Sequence, residues 1–169
     1  MIRLTVQEDA RRTEALLRAV KALSETRVEV GLPDSAGARL RRVLAIQEHG
    51  SPLMRIPPRP VVAPALARPE VRREMAEALR SAAEAAFAGE EAGVAAGFEA
   101  AGRAGADGIR AYIDAGVSPP NAPVTVSGGW VYNRAARKGV RVPGKGFNKP
   151  LFRTGELYGA FSWEVKRNE

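Results

Sequence analysis

Residues 148–165 read NKPLFRTGELYGAFSWEV, and this stretch places the strongest constraint on the fold. Thr154 is a favourable N-cap for a short helix over 155–160, and Glu156 falls in the first turn, where the helix dipole stabilises an acid. Apolar and polar residues then alternate, which predicts a closing strand. The apolar positions of that strand are Phe161, Trp163 and Val165. The end of the chain is therefore expected to lie in a sheet.

Two more strands are predicted near the other end of the chain. Alternation with polar neighbours marks one at Ile2, Leu4 and Val6 and another at Val28, Val30 and Leu32. A helical period separates them over 8–23, and its apolar stripe is expected to face the core through Leu16, Val20 and Leu23. A short helix with Leu40, Val43 and Leu44 should follow and end near Glu48.

The middle of the chain divides into a proline-rich part and a helical part. Residues 52–69 hold six prolines, which excludes a continuous helix and predicts an extended, polyproline-like connector across a surface. Residues 70–115 follow a helical period with a break or kink expected between Gly89 and Gly93, either inside one long helix or as a helical hairpin. The small residues Gly97, Gly102, Gly105 and Gly108 suggest close packing on another helix or subunit, although compositional drift is an equal explanation.

A second irregular region is expected at 117–150. It begins with prolines, contains a short strand at Trp130–Asn133, and continues as a basic, glycine-rich exposed loop over 134–149. Taken together, the pattern predicts a single α+β domain, 1–169, with long extended loops. Its small mixed or antiparallel sheet is formed by N- and C-terminal strands and packs on a long helix that is kinked near Gly89 or broken there.

Composition narrows the function classes. The chain has no cysteine, which excludes disulfides, thiolate metal sites and cysteine nucleophiles. It is 45% hydrophobic but only 6% aromatic, and much of the apolar content is alanine, so a thin, helix-rich core is expected. The N-terminus lacks the apolar core of a signal peptide, and no apolar run is long enough to cross a membrane, so a cytosolic place of synthesis is expected.

The net charge of +7 comes from one segment. No acidic residue lies between Asp114 and Glu156, and the seven basic residues there leave 19 of the 26 Lys and Arg to balance 19 Asp and Glu. They are Arg134, Arg137, Lys138, Arg141, Lys145, Lys149 and Arg153. A local basic excess indicates a nearby polyanion or an acidic protein surface, or a solvated basic loop with no partner.

Motifs for catalysis, cofactors and metals are not found. His49 follows Glu48 directly, and adjacent helical residues point in different directions, so this pair does not form a zinc site. Gly144–Lys145–Gly146 lacks the spacing of a phosphate-binding loop. No enzyme, cofactor or metal site is predicted, and a hydrolase or nuclease that uses Glu48 and His49 is the weakest hypothesis.

Several stretches resemble one family of proteins. Residues 28–32 read VEVGL, 44–52 read LAIQEHGSP and 56–60 read IPPRP, and with the 148–165 stretch they are similar to phage virion-morphogenesis proteins of the head–tail junction. That family includes minor tail, neck and tail-completion proteins of lambda-like and Mu-like tailed phages. The residues that carry the resemblance are Gly50, Pro52, Pro57, Arg59, Pro60, Pro150, Leu151, Thr154, Gly155 and Leu157. The chain departs from the family pattern at Gln47, His49, Val61–Val62 and Arg153, the last of which replaces a customary aspartate.

The resemblance implies a structural virion protein that is made in the host cytoplasm. Such a protein forms an oligomeric ring, expected to be a hexamer, that joins the head connector to the tail tube and surrounds the DNA channel. Its partners would be further copies of itself, other neck or connector proteins and tail-tube proteins, with non-specific contact to phage DNA and none to a membrane. The alternative is a basic DNA-binding or packaging protein that uses residues 134–153 directly.

Overall fold

The computed structural model describes residues 6–133 and 136–167, and these residues form both helices and strands. The order is α1 (Val6–Glu25), β1 (Thr26–Gly31), a 3₁₀ turn (Asp34–Ala36), α2 (Gly37–His49), α3 (Val62–Leu66), α4 (Pro69–Ala88), α5 (Glu91–Asp114), α6 (Pro123–Ser127), β2 (Gly129–Asn133), β3 (Lys138–Val142), α7 (Glu156–Ala160) and β4 (Ser162–Arg167). This mixed helix and sheet content confirms the predicted α+β class.

Strands from the two ends of the chain form one antiparallel pair. β1 pairs with β4 in a register that sets Val28 opposite Val165 and Val30 opposite Trp163. The predicted closing strand therefore shares a sheet with the predicted strand at 28–32. The strand predicted at Ile2 and Leu4 lies outside the described residues, and Val6 belongs to α1 and not to a strand.

Helices α4 and α5 form a helical hairpin, which answers the question that the sequence left open. The break is complete at Gly89, whose φ of 77° closes α4 in a left-handed C-cap. Residues 70–115 are therefore two helices that pack side by side. Among the described residues no helix has the length and hydrophobicity that a bilayer-spanning segment needs.

Glycines of α5 allow the close packing around it. A Cβ on Gly97 would lie 2.6 Å from Ala82 Cβ and 2.8 Å from the carbonyl oxygen of Ala78. A Cβ on Gly102 would lie 2.2 Å from the Trp163 ring, and one on Gly108 would lie 2.7 Å from Val71. These glycines thus let α4 and the β1–β4 sheet approach the α5 backbone more closely than alanine would allow.

The core follows α5 from one end to the other. Near its start, Ala82, Val94 and Phe98 form one buried cluster. Near its end lies a larger cluster of Val61, Ala65, Ile109, Ile113, Val117, Leu157 and Phe161. The short helix predicted from Leu40, Val43 and Leu44 is α2, and its Leu40 and Leu44 pack against this larger cluster while Val43 is exposed.

The proline-rich region differs from the prediction. Residues 52–69 are not one surface connector, because α3 lies within them and its Ala65 is fully buried together with Val61. The reason is that Pro64 occupies the first turn of α3 and Pro69 begins α4. Backbone amides in the first turn of a helix have no acceptor within the helix, so a proline there removes no helical hydrogen bond. Six prolines thus exclude one long helix but permit short ones.

The basic region also contains more regular structure than expected. The predicted strand at Trp130–Asn133 is β2, but the stretch after it is not an exposed loop throughout, because Lys138–Val142 forms β3. β2 and β3 pair antiparallel as a separate β-hairpin. Val140 and Val142 alternate with a polar residue, but the glycines and lysines around them are typical of a loop, so no strand was predicted there.

Two smaller predictions were wrong. Thr154 is not the N-cap of α7; Gly155 is, with a φ of 85°, and Thr154 Oγ1 only accepts a long 3.4 Å hydrogen bond from the Glu156 amide. Of the predicted buried stripe of α1, Leu23 packs on the smaller core cluster, but Leu16 and Val20 are about half exposed and Ala19 is buried instead. A small residue at the contact brings α1 close to its neighbours and leaves the larger side chains beside it in solvent.

Gly97→Ala should destabilise the protein by about 1–2 kcal/mol, although alanine is the better helix former, because the new methyl group overlaps backbone atoms of α4. Gly159→Ala in α7 is the matched control: no atom lies within 4 Å of its Cβ position, so a gain of up to about 1 kcal/mol is expected. Urea unfolding followed by circular dichroism measures both. Equal effects of the two substitutions would contradict the close-packing explanation.

Candidate docking cleft and basic β-hairpin

Arg59 is buried, with 6% of its surface exposed, and connects two distant segments. Its Nε donates a 2.6 Å hydrogen bond to the carbonyl oxygen of Pro119, and its Nη2 donates one of 2.9 Å to Pro120. Its backbone amide donates to the Gln47 carbonyl at the end of α2. Burial lowers the pKa of the guanidinium. The arginine of the IPPRP motif thus clamps α2 to the chain that follows α5.

Glu48 supports the same junction. Its Oε1 accepts hydrogen bonds of 2.9 Å from the amides of Val61 and Val62, at the N-terminus of α3. A carboxylate at that position satisfies otherwise unpaired amides and complements the helix dipole. Glu48 is therefore engaged with the backbone, while the adjacent His49 is exposed. This arrangement gives no support to a catalytic pair.

Gly50 allows the tight turn after α2. Its φ is 72°, and a Cβ there would lie 2.8 Å from the carbonyl oxygen of Ile56. The following turn is closed by the bridge between Ser51 and Ile56. Pro52, Pro57 and Pro60 are exposed around it. The first family-like motif is thus a turn and a clamp.

A cleft of about 1580 Å³ lies beside this junction. α2, the 51–56 turn, β2 and the segment 151–157 contribute its lining, which we call the basic cleft. Its basic side chains are Arg39, Arg55, Arg59, Lys145 and Arg153. Glu156 is the one carboxylate among the lining residues, and it pairs with Arg39. The cleft therefore has an uncompensated positive field.

Lys145 contributes to this field from a partly buried position. Its Nζ donates to the carbonyl oxygens of Lys149 and Phe152, the latter at 2.9 Å. Burial lowers the pKa of Lys145, and the nearby charges of Arg59 and Arg153 lower it further. An anion in the cleft would reduce this repulsion.

Lys149 is used to hold the end of α5. Its Nζ lies 2.6 Å from Asp114 Oδ1, and 4.8 Å from the centre of the Phe152 ring. Tyr158 donates its hydroxyl to Asp114 Oδ2 at 2.7 Å. The hydrogen bonds from Lys149 and Tyr158 lower the pKa of Asp114. Lys149 therefore ties the end of α5 to the wall of the basic cleft.

The β2–β3 hairpin presents aromatic and basic side chains to solvent. Trp130 is 74% exposed and Tyr132 is 67% exposed, and the register sets Arg141 opposite Trp130. Because Trp130 and Tyr132 are two residues apart on one strand, their rings lie on the same face of the hairpin. Arg137 and Lys138 are exposed next to them. Of the seven basic residues of the segment, four are exposed: Arg137, Lys138, Arg141 and Arg153. Lys145 and Lys149 make contacts within the chain, and Arg134 lies outside the described residues.

Three residues of the second family-like motif make core contacts. Pro150 and Leu157 are buried, and Leu151 packs on the larger core cluster. Phe161, which the alternation placed in the strand, is fully buried directly before it.

Some residues of the cleft had no signal in the sequence. Arg39 and Arg55 lie far along the chain from the basic segment, and Asn121 lies in a proline-rich stretch. The Asn121 Nδ2 is buried without a hydrogen-bond partner at the edge of the cleft. Such groups become neighbours only through the fold.

Comparison of the chain with protein-family models, with curated proteins and with solved structures finds no match.

Arg59→Ala should lower the free energy of unfolding by about 2–4 kcal/mol, because it removes charged hydrogen bonds and leaves the carbonyls of Pro119 and Pro120 without donors. Arg153→Ala, an exposed arginine of the same cleft, should change it by less than about 0.5 kcal/mol. Urea unfolding measures both values. A small effect of Arg59→Ala would show that the clamp contributes little.

Proposed function

We propose that this chain is a structural, non-enzymatic protein of the head–tail junction of a tailed-phage particle, of the neck or tail-completion type. One observation carries the proposal. The stretches 44–60 and 148–165, which resemble that family separately, are far apart in sequence but meet at one place, where both line the basic cleft. Chance similarity in two short stretches would not require them to be neighbours in the fold.

The roles of the motif residues fit a structural function. Arg59 and Glu48 are engaged with backbone groups, and Gly50 and Gly155 allow turns. In this proposal the chain forms a ring, expected to be a hexamer, between the head connector and the tail tube. Other neck proteins and the tail-tube protein are its neighbours in the virion.

The proposed ring surrounds DNA, and the β2–β3 hairpin is the best candidate for the surface that faces it. Arg137, Lys138 and Arg141 are exposed there without a nearby acidic residue in the sequence. Phosphate groups attract such side chains in any base sequence. The exposed rings beside them suit a contact with a neighbouring protein.

The test of the head–tail role is genetic. An amber mutation in this gene, in the phage that encodes it, should yield DNA-filled heads and complete tails that remain separate in the electron microscope. Expression of the chain from a plasmid should restore joined, infectious particles. Joined particles in the amber mutant without the plasmid would reject the role.

The alternative function is direct DNA binding by the free protein through residues 134–153, which the exposed β2–β3 hairpin favours. It predicts salt-dependent affinity for duplex DNA. Replacing Arg137, Lys138 and Arg141 by alanine should then reduce the slope of log affinity against log salt by about 2–3, since each lost phosphate contact removes about 0.9. Replacing Arg42, Arg72 and Arg73, which are exposed elsewhere, should leave the slope unchanged. An unchanged slope in the first variant would reject this alternative.

A further inference from the structure

The tip of the α4–α5 helical hairpin is acidic. No Lys or Arg lies between Arg80 and Arg103, and this interval holds Glu84, Glu90, Glu91 and Glu99. The first three of these glutamates are exposed around the break at Gly89. We call residues 84–91 the acidic tip. Its charge pattern is the reverse of the basic interval between Asp114 and Glu156.

The acidic tip also exposes a large apolar side chain. Phe87 is 56% exposed. It lies two residues before the left-handed Gly89, and three and four residues before Glu90 and Glu91. Exposed aromatic side chains of this kind are enriched at the cores of protein interfaces.

The basic cleft has matching features. On its rim, Leu53 is 78% exposed and Met54 is 61% exposed. Arg55 follows them directly, and Arg153 lies in the same cleft lining. Apolar side chains beside uncompensated cations are complementary to an apolar side chain beside carboxylates. Duplex DNA would not use the leucine and methionine in this way.

The two surfaces lie at opposite ends of the same helix. α5 begins at Glu91, in the acidic tip, and ends at Asp114, which Lys149 ties to the wall of the basic cleft. A helix of 24 residues is about 36 Å long. The tip of a chain therefore cannot fill its own cleft, but it can fill the cleft of another copy.

We propose that the acidic tip of one copy docks head to tail in the basic cleft of the next copy, with Phe87 against Leu53 and Met54. Glu90 and Glu91 then face Arg55 and Arg153. The contact deepens the ring proposed above and rests on it for its biological role. Because the two contacting surfaces differ, repetition of the contact generates a ring wherever the rotation closes.

Charge reversal in the full chain tests this contact by sedimentation velocity at low salt. The parent chain should associate in a concentration-dependent manner. Glu90→Lys with Glu91→Lys should weaken association at least tenfold, and so should Arg55→Glu with Arg153→Glu. Mixing these two variants should restore association, because each then offers a tip that complements the other's cleft.

Matched controls separate the contact from general charge effects. Glu74→Lys with Glu77→Lys reverses two exposed glutamates elsewhere on α4, and Arg72→Glu with Arg73→Glu reverses two exposed arginines. Both control pairs should associate like the parent chain. Phe87→Ser, at a position that is 56% exposed, should weaken association about tenfold while the circular dichroism spectrum remains that of the folded parent chain.

Three results would overturn the inference: a parent chain that stays monomeric, equal weakening by the tip and control variants, or no recovery on mixing. Each can occur while the amber mutant still shows unjoined heads and tails, in which case the head–tail role stands with a different ring contact. Conversely, restored association on mixing together with joined particles in the amber mutant would reject only the head–tail role.

Discussion

The close approach of other elements to the backbone of α5 is the constraint on which the structure depends. α4 packs at Gly97, Val71 packs at Gly108, and the Trp163 ring of β4 lies against Gly102. None of these contacts would fit around a Cβ without a shift of its partner. The chain has few large apolar residues, so it gains its dispersion contacts by short separations between elements and not by large side chains. The helical hairpin and the β1–β4 sheet are held around one helix for this reason.

The same helix determines where the two charged surfaces lie. Its first residue, Glu91, belongs to the acidic tip, and its last residue, Asp114, anchors Lys149 and Tyr158 at the wall of the basic cleft. Arg59 in that wall and Glu48 next to it are hydrogen-bonded to backbone groups, so their charges stabilise the fold. The cations that remain exposed, such as Arg55 and Arg153, are those free to meet a partner. Separation of opposite charge by a rigid helix is the property that a head-to-tail assembly needs.

Predictions from the sequence held where one short-range signal dominated. The alternation at 161–165 and 28–32 located β4 and β1, and the glycine run in 97–108 indicated close packing. The predictions were wrong where the same residue type is compatible with two different structural environments. Leu16 and Val20 were placed in the core by their helical period, yet they are exposed because the smaller Ala19 makes the contact. Prolines 64 and 69 suggested an extended connector, although proline is equally suited to the first turn of a helix.

By itself, the sequence determined the α+β class, the approximate positions of β1 and β4, and the positive charge confined to one interval, because periodicity and charge are local properties of the chain. Only the tertiary structure decided that residues 70–115 form a helical hairpin, that Lys145 and Lys149 serve internal contacts, and that Arg39, Arg55 and Arg153 share a cleft. Those outcomes depend on which side chains the fold brings together, and some of these, such as Arg39 and Glu156, are more than 100 residues apart in the sequence. The stretch 148–165 illustrates both cases. Its alternating residues predicted a strand from the sequence alone, whereas only the tertiary structure showed that it lines the basic cleft.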